Sequence, residues 1–149
     1  MKKTVMYGLA LACLCAWGQQ AIDRSEILRD PEWKKVYDGY IPDAELIMTL
    51  KNMAPEMRID VYLGLWCSDS RDHVPVFLKI IDGMDAPGLA IDLYLVERKT
   101  APGQKYYVEE KSVERVPTFI FYRDGEEMGR IIENPRLSIL EDMLAIMLQ

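Results

Sequence analysis

At 149 residues, half of them hydrophobic, the chain is long enough for one domain with a real core. Its formal charge is −6 and no Lys/Arg stretch is longer than a pair, which leaves nothing for a phosphate backbone to hold. Nucleic acid is therefore not an expected partner.

The first residues bear on the cellular setting. Lys2 and Lys3 precede a charge-free run, TVMYGLALACLCAWG, too short to span a bilayer and ending in small residues, which is the pattern of a secretory signal peptide. With Ala16 and Gly18 at the small-residue positions, cleavage would leave Gln19 as the first residue, so residues 1–18 are set aside from the fold. A lipoprotein leader is the competing reading, because Cys13 follows small residues in ALAC. The protein is expected to be exported, periplasmic or secreted, and to meet a membrane only if lipidated. Cleavage removes Cys13 and Cys15, leaving Cys67 as the single cysteine of three, without an internal disulfide partner. It also removes Lys2 and Lys3, taking the formal charge from −6 to −8. A monomer is expected.

No repeat, low-complexity tract or Gly/Ser linker interrupts residues 24–149, which are read as one domain. Asp30 as N-cap and Pro31 at the first helical position open a helix whose apolar residues Trp33, Val36, Tyr37 and Tyr40 recur at helical spacing. A second helix starts at Pro42, carries Leu46, Ile47, Leu50 and Met53 on one stripe, and ends at Pro55. RIDVYLGLW, residues 58–66, is apolar on both alternating faces apart from Asp60 and reads as a central strand. After Cys67 the period becomes helical, with Val74, Phe77, Leu78 and Ile81, until Gly83. LAIDLYLVER, residues 89–98, is again a near-continuous apolar strand, consistent with a βαβ crossover between parallel neighbours. The polar stretch from Lys99 to Arg115 is read as loop plus a short helix around Tyr106 to Lys111. A strand, an Asp124-Gly125 turn and another strand form a hairpin, and a helix from Pro135 with Leu137, Leu140, Leu144, Met147 and Leu148 on one face closes the chain.

This order, with a cysteine ending the central strand and VPT before a terminal hairpin, resembles the thioredoxin family. WCSDSRDHVP is similar to the family's W-C-x-x-C motif and the helix-kinking proline that follows it: Trp66 matches the tryptophan, Cys67 the nucleophile and Pro75 the kink. RVPTFIFYRDGEEMGRI is similar to the family's cis-proline strand and hairpin, with Pro117 as the cis-proline and Val116 as the residue whose backbone holds extended substrate peptides. The resemblance implies an α/β fold, thioredoxin-like, with a central mixed β-sheet flanked by helices and N-terminal helices before the first central strand. Two departures stand out. Ser70 occupies the position of the family's resolving cysteine, and Val61 that of its buried acid. Asp60 is next to Val61, but strand alternation sends it to the opposite face.

A thiol in the first turn of a helix faces unpaired N–H groups and the positive end of the helix dipole, which favour the thiolate. Asp69 and Asp72 oppose this by repulsion, and Arg71 assists it from one turn on. Ser70, on the same helix face as Cys67, could donate a hydrogen bond to the sulfur but could not displace a bound partner. Attack by Cys67 would stop at a mixed disulfide, so the expected activity is monothiol disulfide exchange or isomerisation on a cysteine-containing protein or small thiol. Trp66 would offer an apolar platform beside the substrate. The competing reading is a non-catalytic binding module that holds an extended peptide at Val116 and Pro117. No metal or other cofactor is expected, because one cysteine and one histidine do not make a closed metal site. The spacing of His73 turns it to a different side of the helix from Cys67, which argues for a hydrogen-bonded structural role over a Cys-His pair.

Overall fold

The computed structural model describes residues 19–55 and 57–149. The segment expected to be a signal peptide, and with it Cys13 and Cys15, lies outside the described residues. In chain order the elements are β1 (Gln19–Ala21), α1 (Arg24–Ile27), α2 (Pro31–Gly39), α3 (Ala44–Met53), β2 (Met57–Leu63), α4 (Ser68–Met84), β3 (Ala90–Val96), β4 (Thr118–Arg123), β5 (Glu126–Ile132) and α5 (Ile139–Met147). The strands form a mixed sheet in the order β1-β3-β2-β4-β5. β2 is central, parallel to β3 and antiparallel to β4, while β1 and β5 are antiparallel at the two edges.

Local chemistry places the helix ends. Asp23, Asp30 and Asp43 each turn a carboxylate onto a free backbone N–H of the first turn, at Ser25, Glu32 and Glu45 respectively. Pro31, which has no N–H to leave unpaired, takes the first position of α2. The last helix begins later than Pro135. Ser138 caps it by accepting from the Glu141 N–H while its own hydroxyl donates to the Glu141 carboxylate. Asp142 meanwhile accepts from the N–H of Arg136 and of Leu137, which holds that segment as a turn ahead of the helix. Asp124 and Gly125 both have positive φ, 52° and 83°, as a tight two-residue hairpin turn requires.

Alternation along the strands sorts the core into two unequal faces. Ile59, Val61 and Leu63 of β2, Leu93 of β3, and Phe119 and Phe121 of β4 face one side, where they join buried residues from α1 to α5 in a single cluster. All the helices among the described residues contribute to this face. The opposite face carries Tyr62, Val96 and Ile120, covered by Val108, Val113 and Val116 from the 97–116 segment. That segment does not hold the expected helix near Tyr106 to Lys111. It folds into a turn closed by the Val113 N–H donating to the Val108 carbonyl and the Tyr107 N–H donating to the Val113 carbonyl. Lys99 holds the base of this loop by donating to the carbonyls of Lys105 and Glu114, 2.7 and 2.6 Å away. Side chains at 108 and 113 thus reach the sheet from an irregular strap whose apolar spacing is not that of a helix.

Asp60 is fully buried on this second face. Arg58 donates to its Oδ1 at 2.9 Å, and Oδ2 has no hydrogen-bond partner among the described residues. Burial holds the carboxyl above its ordinary range, against the opposing pull of Arg58 and Lys111. In the unfolded chain the same group titrates near pH ~4. The folded state therefore resists ionising it, and the stability tied to its neutral form is lost as pH rises through the folded-state value. Urea melts of the wild type and Asp60→Asn between pH 4 and 8 should show the stability difference, wild type minus variant, falling as pH rises. A flat or rising difference would contradict the assignment.

Candidate functional site

The geometry of the candidate site begins at the turn from β2 into α4. Gly64 ends the strand, its carbonyl accepts from the Cys67 N–H at 3.0 Å, and the chain enters α4 with Cys67 as the N-cap residue. The Trp66 indole folds back over Gly64. A Cβ at position 64 would lie 2.7 Å from the indole, so only glycine allows this approach. The Trp66 Nε1–H donates to the Val96 carbonyl at 3.2 Å, which fixes the ring across the end of β3.

Cys67 is partly exposed and free. Its thiol donates to the carbonyl oxygen of Val116, 3.2 Å away. Val116 and Pro117 are buried, and the peptide bond between them is cis. Two further bonds hold this segment: the Pro117 carbonyl accepts from the Glu133 N–H at 2.7 Å, and Thr118 Oγ1 donates to the Arg115 carbonyl at 2.7 Å. Beneath the site, Phe77 of α4 packs against Phe119 of β4 with ring centroids 5.1 Å apart. The helix carrying Cys67 and the strand following Pro117 are thus locked together.

Ser70 is fully buried, and its Oγ accepts from the Gly64 N–H at 3.3 Å. The structure gives the Ser70 hydroxyl and the Cys67 thiol separate backbone partners and shows no hydrogen bond between them. Arg71 is exposed and lines a shallow cleft with Asp72 and with Glu32, Lys35 and Val36 of α2. Asp69 is half-buried in the first turn of α4. His73 is tied by its Nε2 to Oδ1 of Asn134 at 3.0 Å, which links α4 to the segment after β5.

The structure adds residues that sequence reasoning did not single out. Tyr107, from the 97–116 strap, lies against Trp66 with ring centroids 5.8 Å apart. Burial raises its phenol, and the neighbouring Cys67 adds to the rise against the opposing effect of Arg98. The Arg98 guanidinium lies 4.6 Å over the Trp66 ring and Lys99 sits 4.4 Å over Tyr107. Adjacent Arg98 and Lys99 just beyond the end of β3 were the available signal, but no sequence spacing tells that the strap brings an aromatic residue back to Trp66.

A helix N-terminus presenting a half-exposed thiol at the end of the central strand of a mixed sheet, opposite the buried Val116–Pro117 segment, defines a thioredoxin-like domain. Residues 18–145 match a family described as thioredoxin, and the chain belongs to that family. No curated protein sequence matches it. Among solved structures, a protein of unknown function from Pseudomonas aeruginosa is similar with a TM-score of 0.60 at 14% identity, over 85% of this chain and 91% of that one. An HIV epitope scaffold gives 0.56 at 15% identity, over 78% and 79%. Thioredoxin from Fasciola hepatica is 21% identical over 61% of this chain and 82% of its own, with a TM-score of 0.39. For the first two, at these identities, the likeness is one of fold.

Gly64→Ala should force the Trp66 ring off its seat, costing about 1–3 kcal/mol as an overpacking change. Urea melting measures the loss, and a change in tryptophan emission that is absent when Trp66→Phe is combined with it assigns the movement to that ring. Unchanged stability would show that the indole can leave Gly64 freely.

Proposed function

We propose that the protein is a monothiol exchanger: Cys67 attacks a disulfide and stops at a mixed disulfide that an outside thiol resolves. The observation that carries this reading is the half-exposed Cys67 sulfur at the N-cap of α4, with a serine one turn further on. The first-turn N–H groups of α4 lie where a thiolate's charge develops. In the exchange, the Cys67 sulfur bonds to one sulfur of the substrate, the substrate S–S bond breaks, and the departing thiolate takes up the proton that Cys67 gives up. Ser70 cannot repeat the attack, so release requires the substrate's own second cysteine or a separate thiol. A cysteine-containing protein or a small thiol in an exported compartment is the partner this chemistry suits.

A peptide-holding module without chemistry is the second reading, and one observation favours it. Leu65 and Ile132 are both about half exposed, 48% and 47%, at the end of the sheet that carries Cys67 and Pro117. Apolar side chains left open beside a buried backbone segment suit an extended peptide.

The two readings separate by mass spectrometry. Wild-type protein mixed with 2-hydroxyethyl disulfide should gain one adduct that peptide mapping places on Cys67. An external thiol should remove it, and Cys67→Ser should gain none at that peptide. Absence of a Cys67 adduct in the folded wild type would leave only the binding module.

Ser70→Cys provides an independent check. The buried position beneath Cys67 should allow an internal disulfide, and the variant should then reduce insulin disulfides, which the wild type should not do without added thiol. A variant that closes its disulfide yet reduces nothing would point to a site that no substrate enters.

A further inference from the structure

We propose that Arg98 is a specificity-determining residue that makes Cys67 favour disulfides bearing a carboxylate close to the S–S bond. This rests on the exchange reading and adds to it the charge of the substrate. The Arg98 side chain is exposed, lies 4.6 Å over the Trp66 ring, and reaches the Trp66 carbonyl with Nη2 at 3.5 Å, one residue before the reactive thiol. Three other cations of the 97–116 strap already have partners. Arg115 holds Glu133 at 2.6 Å, Lys105 holds Glu114 at 3.1 Å, and Lys99 donates to two backbone carbonyls. Arg98 has no carboxylate partner among the described residues.

In a chain of net charge −6, a cation without a carboxylate partner and with its guanidinium over an aromatic ring is poised to receive an acid from outside. The ring holds the guanidinium in place, with one Nη2 N–H on the Trp66 carbonyl and its remaining N–H groups open to a carboxylate. Trp66 and Tyr107 form the wall on which the substrate's carbon chain would lie, with the sulfur at one end and the cation above. The step itself is the balanced exchange already given. Arg98 takes no proton and forms no bond in it, and acts by attracting the incoming disulfide and holding its charged group.

The test uses three disulfides with the full chain: anionic 3,3′-dithiodipropionate, neutral 2-hydroxyethyl disulfide and cationic cystamine, with adduct formation at Cys67 followed by mass at low ionic strength. The readout is the ratio of the anionic rate to the neutral rate, in the wild type relative to Arg98→Gln. Effects common to both proteins, including that of Asp69, cancel in this comparison. The wild type should show a ratio roughly two- to fivefold higher, the range of an exposed ion pair. Added salt should shrink the preference, cystamine should show the opposite bias, and Arg98→Lys should retain part of it. A cystine-containing peptide with Glu beside the disulfide, compared with its Gln counterpart, shows whether the carboxylate is better accepted from a polypeptide or from the small acid. Preference in either arm supports the proposal. Equal ratios in wild type and Arg98→Gln overturn it while leaving exchange intact, whereas no Cys67 adduct from any of the disulfides overturns exchange and this proposal together.

Discussion

The turn at Gly64 is the constraint on which the site depends. Its carbonyl receives the Cys67 N–H, its N–H is received by the Ser70 hydroxyl, and its bare Cα carries the Trp66 ring. Three residues of the motif are thereby fixed by one residue outside it. Ser70 bridges the first turn of α4 back to the end of β2, so the helix starts at a defined height above the strand and Cys67 becomes its N-cap. The position of the thiol is set by backbone bonds on both of its sides, with Gly64 below and Val116 across. The Phe77–Phe119 contact underneath keeps those two supports from moving apart.

This arrangement gives a physical account of why Ser70 and Val61 go together. A buried acid next to a resolving thiol is useful because that thiol must lose a proton before it can attack. A serine that accepts a backbone hydrogen bond has no such proton to lose in exchange, and a carboxyl group at position 61 would sit unpartnered among Ile59, Leu63 and the helices. Val61 is fully buried there and completes the apolar face instead. The one acid that β2 does bury, Asp60, points to the other face, where Arg58 and not the site is its partner.

How much could be read from the sequence follows from the range of the interactions involved. The α2 start was legible because Asp30 and Pro31 act within one turn, and the hairpin because Asp124 and Gly125 determine their own backbone. The order of the central strands and the place of Cys67 between strand and helix were legible from changes in apolar period. β1 and α1 lie next to residues 1–18, which were set aside, and three or four residues are too few to show a period. The 97–116 strap was not legible because its shape comes from Lys99 reaching two distant carbonyls and from two valines meeting the sheet. The start of α5 was misplaced because the Ser138–Glu141 cap and the Asp142 carboxylate outweigh the proline that seemed to open the helix. The backbone partner of the Ser70 hydroxyl was likewise outside what spacing conveys, since the same helical offset serves a bond to sulfur or to Gly64.

The one-sided placement of the helices explains how a strap without regular structure comes to form part of the site. On the helical face the sheet is sealed by side chains from the helices. On the other face the sheet depends on Val108, Val113 and Val116, and the chain that brings them must pass the end of β3 and return to β4. That path runs directly past the Trp66 ring. Covering the sheet therefore carries Arg98, Lys99 and Tyr107 to the thiol's side as a by-product of burial. The same segment ends at Val116, whose side chain is buried against the sheet while its carbonyl faces Cys67. Apolar packing and presentation of the sulfur are thus imposed by one stretch of backbone, and loosening the strap would disturb the aromatic wall, the cations on it and the Val116 carbonyl at once.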